Sequence, residues 1–177
     1  MNARKTWVIG VVLFAGHAWA QNVAASNRLD DATILAIFDQ ANAADVYIGR
    51  IGAQKGNSDE VRELGRMVAT DHVAVQQMGR DVAKKLGLLP TPPADDNSIG
   101  NQAKTVALLQ SKSGKDFDKT YLKHEIEFHQ AVVDAVKNTL LPASSSEELR
   151  TLIRTVLPGF EHHLAETKAV AKKLGFN

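Results

Sequence analysis

The sequence predicts an all-α fold, a four-helix bundle, on three observations. Apolar residues recur at spacings of three and four along nearly the whole chain, and no run alternates with period two long enough to make a strand. Four of the periodic stretches are long, and each is bounded by capping residues or breakers. One clear linker, "LLPTPPADDNSIGN", divides the four into two pairs. Four apolar stripes have to be buried, and a bundle of antiparallel hairpin pairs does so economically.

The first helix is expected to start after Asp30 or Asp31, either of which can cap it, and to run through "ATILAIFDQANAADVYIGRIGAQK" to Gly56. Ser58 opens the second, with Asp59 and Glu60 near the positive end of its dipole, and Gly87 ends it as the residue after the C-cap. A short extra helix, about 99 to 112, lies in the connection, which is long enough to cross the whole bundle. The third long helix spans about Lys115 to Leu141, stopped by Pro142. The fourth opens with Ser144 and Glu147 as a capping box, and Pro158 is expected to kink it because a backbone hydrogen bond is lost there. "VAKKLG" occurs at 82 to 87 and again at 170 to 175, each time ending the second helix of a pair. Either the hairpins are related by duplication, or good C-terminal capping chemistry has simply recurred.

The N-terminus reads as a secretory signal peptide. "MNARK" is basic, "TWVIGVVLFAG" is apolar but too short to span a bilayer, and Ala18 to Ala20 fit a small-x-small cleavage site before Gln21. This predicts a periplasmic or secreted protein with residues 21–30 as a flexible leader, 31–177 as one domain, and no membrane segment after cleavage. Lys+Arg number 21 against 20 Asp+Glu, and losing Arg4 and Lys5 tips the balance slightly acidic. No basic block remains to bind nucleic acid. The chain has no Cys, hence no disulfide.

On helical wheels, polar residues facing solvent need no explanation, whereas those on the apolar arcs do. Asp45 falls among Ile34, Ile37, Phe38, Ala41 and Ile48; Asp71 and His72 flank the arc of the second helix; Glu125 and His129 lie within that of the third; His163 lies within that of the fourth. His124, Glu127, Glu161, His162 and Glu166 fall at the edge or on the far side and read as a solvated face. All six inward residues sit near mid-helix, at one depth given a rise of about 1.5 Å per residue. Two arrangements satisfy them. One is a dry polar layer in which Asp45, Asp71 and Glu125 pair with His72, His129 and His163 and fix helix register. The other is a metal site, since carboxylates and imidazoles from facing helices make the centres of di-iron and mononuclear bundles.

"ANAADVYIGRIGAQKGNSDEVRELGRMVATDH", then "PTPPAD", "FDKTYLKHEIEFHQAVVDAV" and a closing "HHLAETK" resemble the exported ferritin-like bundle proteins grouped as domain-of-unknown-function family 4142. The resemblance covers about residues 30 to 174. It implies a ferritin-like four-helix bundle and an envelope or secreted location, and brings no established activity. The family pattern carries an acidic residue at Asp45, the Asp71-His72 pair, the Phe128-His129 step and the histidine at His163. Many relatives have Glu at the first of these, so Asp45 reaches one methylene less far. The Glu-x-x-His signature of di-iron ferritins is absent, which weakens a case for oxygen chemistry more than one for metal binding.

The function expected is binding of a transition metal, iron, zinc, manganese or copper, by Asp45, His72, Glu125, His129 and His163, with Asp71 as a ligand or as the acceptor orienting an imidazole. The alternative is a non-catalytic envelope or stress-related interaction protein whose polar layer is structural. No nucleophile motif, phosphate-binding glycine loop or nucleotide fingerprint points to an enzyme.

Overall fold

The computed structural model describes residues 29–176; the expected signal peptide and residues 21–28 of the expected leader lie outside the described residues. Every regular element among the described residues is helical. Helix α1 (Asp31–Lys55) starts as expected, with Asp30 accepting from the Thr33 N–H at 2.8 Å. Helix α2 (Asp59–Leu86) is capped by Ser58 and ends at Gly87, whose φ of 64° lets the Leu88 N–H close back on Ala83 O. After the linker come α3 (Ser98–Gln110) and α4 (Gly114–Ala135).

Two boundaries differ from expectation. The third long helix does not stop at Pro142: Val136–Leu140 form a π-helical turn, the Leu141 N–H reaches back to Val136 O, and α5 (Leu141–Ala143) carries the path on. A proline in the first turn of a new segment needs no helical N–H, and the wide turn before it absorbs the missing bond. Helix α6 (Glu147–Lys173) is capped by Ser146 rather than Ser144. Both the amide and the hydroxyl of Ser144 are already committed to Leu140 O. Helix α6 then runs unbroken through Pro158, which lies on its exposed side where water can replace the lost donor.

The four long helices share one interior. Helix α1 packs closely along α2 and α4 along α6, while α2 meets α6. Gly49 and Gly65 bring α1 and α2 together so tightly that a Cβ on Gly65 would stand 2.5 Å from the Ala53 backbone nitrogen. The connection runs beside α1 from end to end: Thr91 N–H donates to Ala32 O, Gln40 to Asp96, and Lys55 Nζ to the carbonyls of Leu109 and Gln110. Two apolar clusters result. Phe38, Ala83, Val133 and Phe160 belong to one, and Ile48, Val68, Leu122 and Ala171 to the other. The inward polar residues of each long helix fall between these positions in sequence, so the polar layer separates the clusters.

The duplicated hexapeptide is part of a larger internal match. Asp31 in the first turn of α1 accepts from the amides of Ser145 and Ser146, and Asp118 near the start of α4 accepts from those of Asn57 and Ser58. Arg62 Nη1 donates to the carbonyls of Gly56 and Asn57, and Arg150 Nη1 to those of Ser144 and Ser145. Lys85 pairs with Glu148 and Lys173 with Glu60. Gly175, like Gly87, has positive φ and is followed by an amide closing on the alanine of "AKKLG". Capping chemistry accounts for the glycines but not for the matched arginines, which brace the start of their own helix, nor for the matched aspartates and Lys–Glu pairs, which tie the hairpins to each other.

Candidate metal centre

Asp45, His72, Glu125, His129 and His163 are all buried, each delivered from mid-helix onto the interior. Three imidazoles define the centre. His72 Nδ1–H donates to Asn42 Oδ1 at 2.8 Å; the Asn42 amide nitrogen donates to Phe38 O, which leaves its oxygen facing the ring. His129 Nδ1–H donates to the carbonyl of Glu125 at 3.0 Å, one helical turn earlier. His163 Nε2–H donates to Asp71 Oδ2 at 3.0 Å. In each ring one nitrogen is thereby held as an N–H by an acceptor outside the cluster, so the other carries the lone pair. Those remaining atoms, His72 Nε2, His129 Nε2 and His163 Nδ1, face inward, and the three histidines present ligand atoms within 4.8 Å of one another.

Asp45 completes this arrangement from α1, its Oδ2 at 2.9 Å from His72 Nε2 and 3.2 Å from His129 Nε2. His72 Nε2 and His163 Nδ1 stand 3.2 Å apart. With both rings neutral this sets lone pair against lone pair, which only a proton or a cation between them relieves. Both Asp45 oxygens, both Glu125 oxygens and His129 Nε2 are fully buried without a hydrogen bond of normal geometry. Native interiors rarely leave so many polar atoms unsatisfied at one spot.

The family model for a domain of unknown function, DUF4142, matches residues 17–170. The chain belongs to this family. No curated protein and no solved structure matches it.

The DUF4142 chain brings five of the six expected residues into the interior and assigns the sixth a different place. Asp71 has an exposed carboxylate that reaches only the outer nitrogen of His163, so it orients that ring and does not face the centre. Glu125 sits on the far side of His129, its Oε2 at 3.4 Å from Nδ1, and with Asp45 and His129 forms a second group whose ligand atoms lie within 4.8 Å. Asn42, which fixes His72, was not among the expected residues, although it lies on the same apolar arc as Asp45. The buried hydroxyl of Tyr121 lies within electrostatic reach of Glu125 and Asp45. His124 is half-buried rather than part of a solvated face, its ring stacked on Phe128 at 5.9 Å.

Charge is distributed unevenly in this DUF4142 site. Burial opposes ionisation of Asp45, but the imidazoles of His129 and His72 outweigh it and hold the carboxyl below its ordinary range. Burial and then the Asp45 charge push Glu125 well above its ordinary value, so it is held as the neutral acid. Burial first, then the neighbouring Glu125 and Asp45 carboxyls, keep the Tyr121 hydroxyl protonated. For His129 burial works against protonation, but Asp45 reverses the balance and raises it. Burial and the neighbouring imidazoles lower His163 despite its bond to Asp71. These groups could hold a metal ion: the three imidazoles present ligand atoms to one another, and the Asp45 carboxylate stands beside those of His72 and His129, with a neutral acid behind.

Proposed function

We propose that this DUF4142 protein is an exported, ferritin-like four-helix-bundle protein that holds a first-row transition-metal ion through His72 Nε2, His129 Nε2, His163 Nδ1 and Asp45 Oδ2. The observation that carries this reading is the convergence of three imidazole lone pairs, each fixed by an acceptor behind the ring, because outer acceptors that set tautomer and orientation are what metal-binding histidines use. Three nitrogens and one carboxylate suit iron, zinc, manganese or copper, the site offering no thiolate. Glu125 is the buried acid nearest this set, placed to join from the Asp45 side or to hold a proton beside it. Export rests on the basic, apolar and small-x-small order of residues 1 to 20.

Elemental analysis of the protein purified from the periplasm without chelator or affinity tag tests the reading. A near-stoichiometric metal in the native chain, lost when His129 and His163 are changed to Ala, is the expected result. If no metal is present, and none is taken up from added Fe²⁺, Zn²⁺ or Cu²⁺, the polar layer is structural and the search turns to envelope partners.

The pH dependence separates the metal-free and loaded forms. An imidazole whose folded pKa is raised, as for His129, contributes stability that is present below its unfolded value of 6.5 and is lost as pH rises through the folded one. Lowered groups such as His163 and His124 act oppositely, but only below 6.5, where the unfolded chain still takes up protons. As pH rises from that ordinary value through the raised one, therefore, the metal-free protein loses stability, by at most about 1.4 kcal/mol per pH unit for each titrating group. The loaded protein has no ligand proton to lose and stays flat. Denaturant melts of both forms across this window check the divergence; parallel curves would count against ligation by His129.

A further inference from the structure

Of the four seams around the interior, three are closed by direct helix packing, α1 on α2, α4 on α6 and α2 on α6; α1 and α4 scarcely touch. The opening between them is a cavity of about 680 Å³, roofed by the connection and α3. Small side chains make the room: Ala41 and Ala44 face it from α1 and Ala131 from α4, each only half-buried although on the inner half of its helix. Ile37, Phe128 and Val132 give it apolar walls, and Asp45 contributes to its inner end. The volume is that of a pocket for a small organic molecule.

We propose that this cavity binds a small organic amine, with the apolar body against the alanine-lined walls and the cationic head among the acidic side chains. The charge of the walls selects the head. Asp96, Glu127 and Asp134 lie around the cavity with Asp45 at its inner end, and no lysine or arginine lines it among the described residues. Among the described residues Asp134 accepts from the neutral Gln130, and Glu127 makes a loose exposed pair with Lys123, so both carboxylates remain able to receive an ammonium group. An anionic head would meet these carboxylates with no counter-charge, and repulsion of like charge is how such a wall excludes a ligand. Glutamine side chains from α1, α3 and α4 (Gln40, Gln102 and Gln130) add neutral hydrogen-bonding groups that serve an amine or a hydroxyl alike. The apolar area supplies affinity and the carboxylates supply the preference. The site stands on these walls and does not depend on metal at the neighbouring centre, although the two share Asp45.

Calorimetric titration of the purified protein with tryptamine, tryptophol and indole-3-acetate tests this, the three sharing one aromatic body and differing in head charge. Tryptamine is expected to bind about tenfold more tightly than tryptophol, equivalent to 1.4 kcal/mol, and indole-3-acetate most weakly. Ala44→Met, which fills the cavity, is expected to weaken tryptamine binding about tenfold with the circular-dichroism melt retained. Where that variant fails to fold, Ala131→Met fills the same space from the opposite wall. The pair Glu127→Gln and Asp134→Asn is expected to bring tryptamine close to tryptophol. No binding by any probe, indole-3-acetate binding as tightly as tryptamine, or tryptamine binding unmoved by a folded cavity-filling variant would each overturn the proposal. Repeating the titration after chelation separates this site from the metal reading, because amine binding is expected to survive removal of the metal.

Discussion

Chelation is expected to lower the melting temperature of the native protein by roughly 8 to 16 °C. An ion free at about 1,000 times its Kd stabilises the folded state by about 4 kcal/mol, and a chain of this size shifts by about 2 to 4 °C per kcal/mol. The metal-free centre has reason to be weak. With the outer nitrogens of the rings committed to Asn42, the Glu125 carbonyl and Asp71, the inner face must be neutralised by protons, and two of the facing nitrogens are 3.2 Å apart. His163→Ala should abolish the chelator-sensitive part of the melt, so that curves with and without EDTA coincide, while circular dichroism still reports helix. Differential scanning calorimetry with and without EDTA, followed by readdition of Zn²⁺ or Fe²⁺, decides the matter. A native melt indifferent to chelator and to added metal would remove the ion from the account and leave a polar layer held by shared protons.

The centre lies where the internal match between the hairpins fails. Counted from the matched caps, His72 stands where the second hairpin has Phe160, His163 where the first has Val75, Asp45 opposite Val132, Glu125 opposite Phe38, and His129 opposite Asn42. His72 stacks on Phe160 at 5.4 Å, so one hairpin's polar residue rests on the other's apolar counterpart. Inward polar residues on one side and Phe38, Val75, Val132 and Phe160 on the other therefore give one polar site and an apolar complement. Neither hairpin carries the whole set, and the site exists only when the two are joined.

Helix existence and most boundaries were legible because they are local. Asp30, Ser58 and Gly87 act through their neighbours in sequence. Ser146 was missed because Ser144 is diverted by Leu140 O, a competition that depends on the preceding π-turn, and that turn in turn depends on how Pro142 is accommodated. The inward residues were legible because a wheel reports which face a residue is on. It does not report what lies behind a side chain, so Asp71 could be an orienting group or a ligand until its carboxylate was found at the surface beside His163 Nε2. Asn42 carries a signal that sequence does contain, an amide one turn from Asp45 on an apolar arc. His124 reads as exposed on a wheel and is half-buried where the connection and α3 roof the opening between α1 and α4, a consequence of tertiary packing.

Gly65→Ala is expected to destabilise the fold and weaken the site together. A Cβ at Gly65 would lie 2.5 Å from the Ala53 nitrogen and 2.6 Å from Gly49 O, both backbone atoms that no rotamer change can move. Alanine gains up to about 1 kcal/mol of helix propensity, but overpacking of this kind costs about 1 to 3 kcal/mol and more where backbone must shift, so the clash wins. A net loss of about 2 kcal/mol corresponds to roughly 6 °C in melting temperature. The relief available is for α1 to move away from α2, and α1 carries Asn42 and Asp45 while α2 carries His72. Metal affinity should therefore fall about tenfold, the low end of what losing a supporting contact costs a metal site. Gly159→Ala is the control: nothing lies within 4 Å of its Cβ position on the exposed side of α6, so only propensity acts and the melting temperature should rise. If Gly65→Ala melted like Gly159→Ala, the close approach of α1 and α2 would not be what sets the distance from Asp45 to His72.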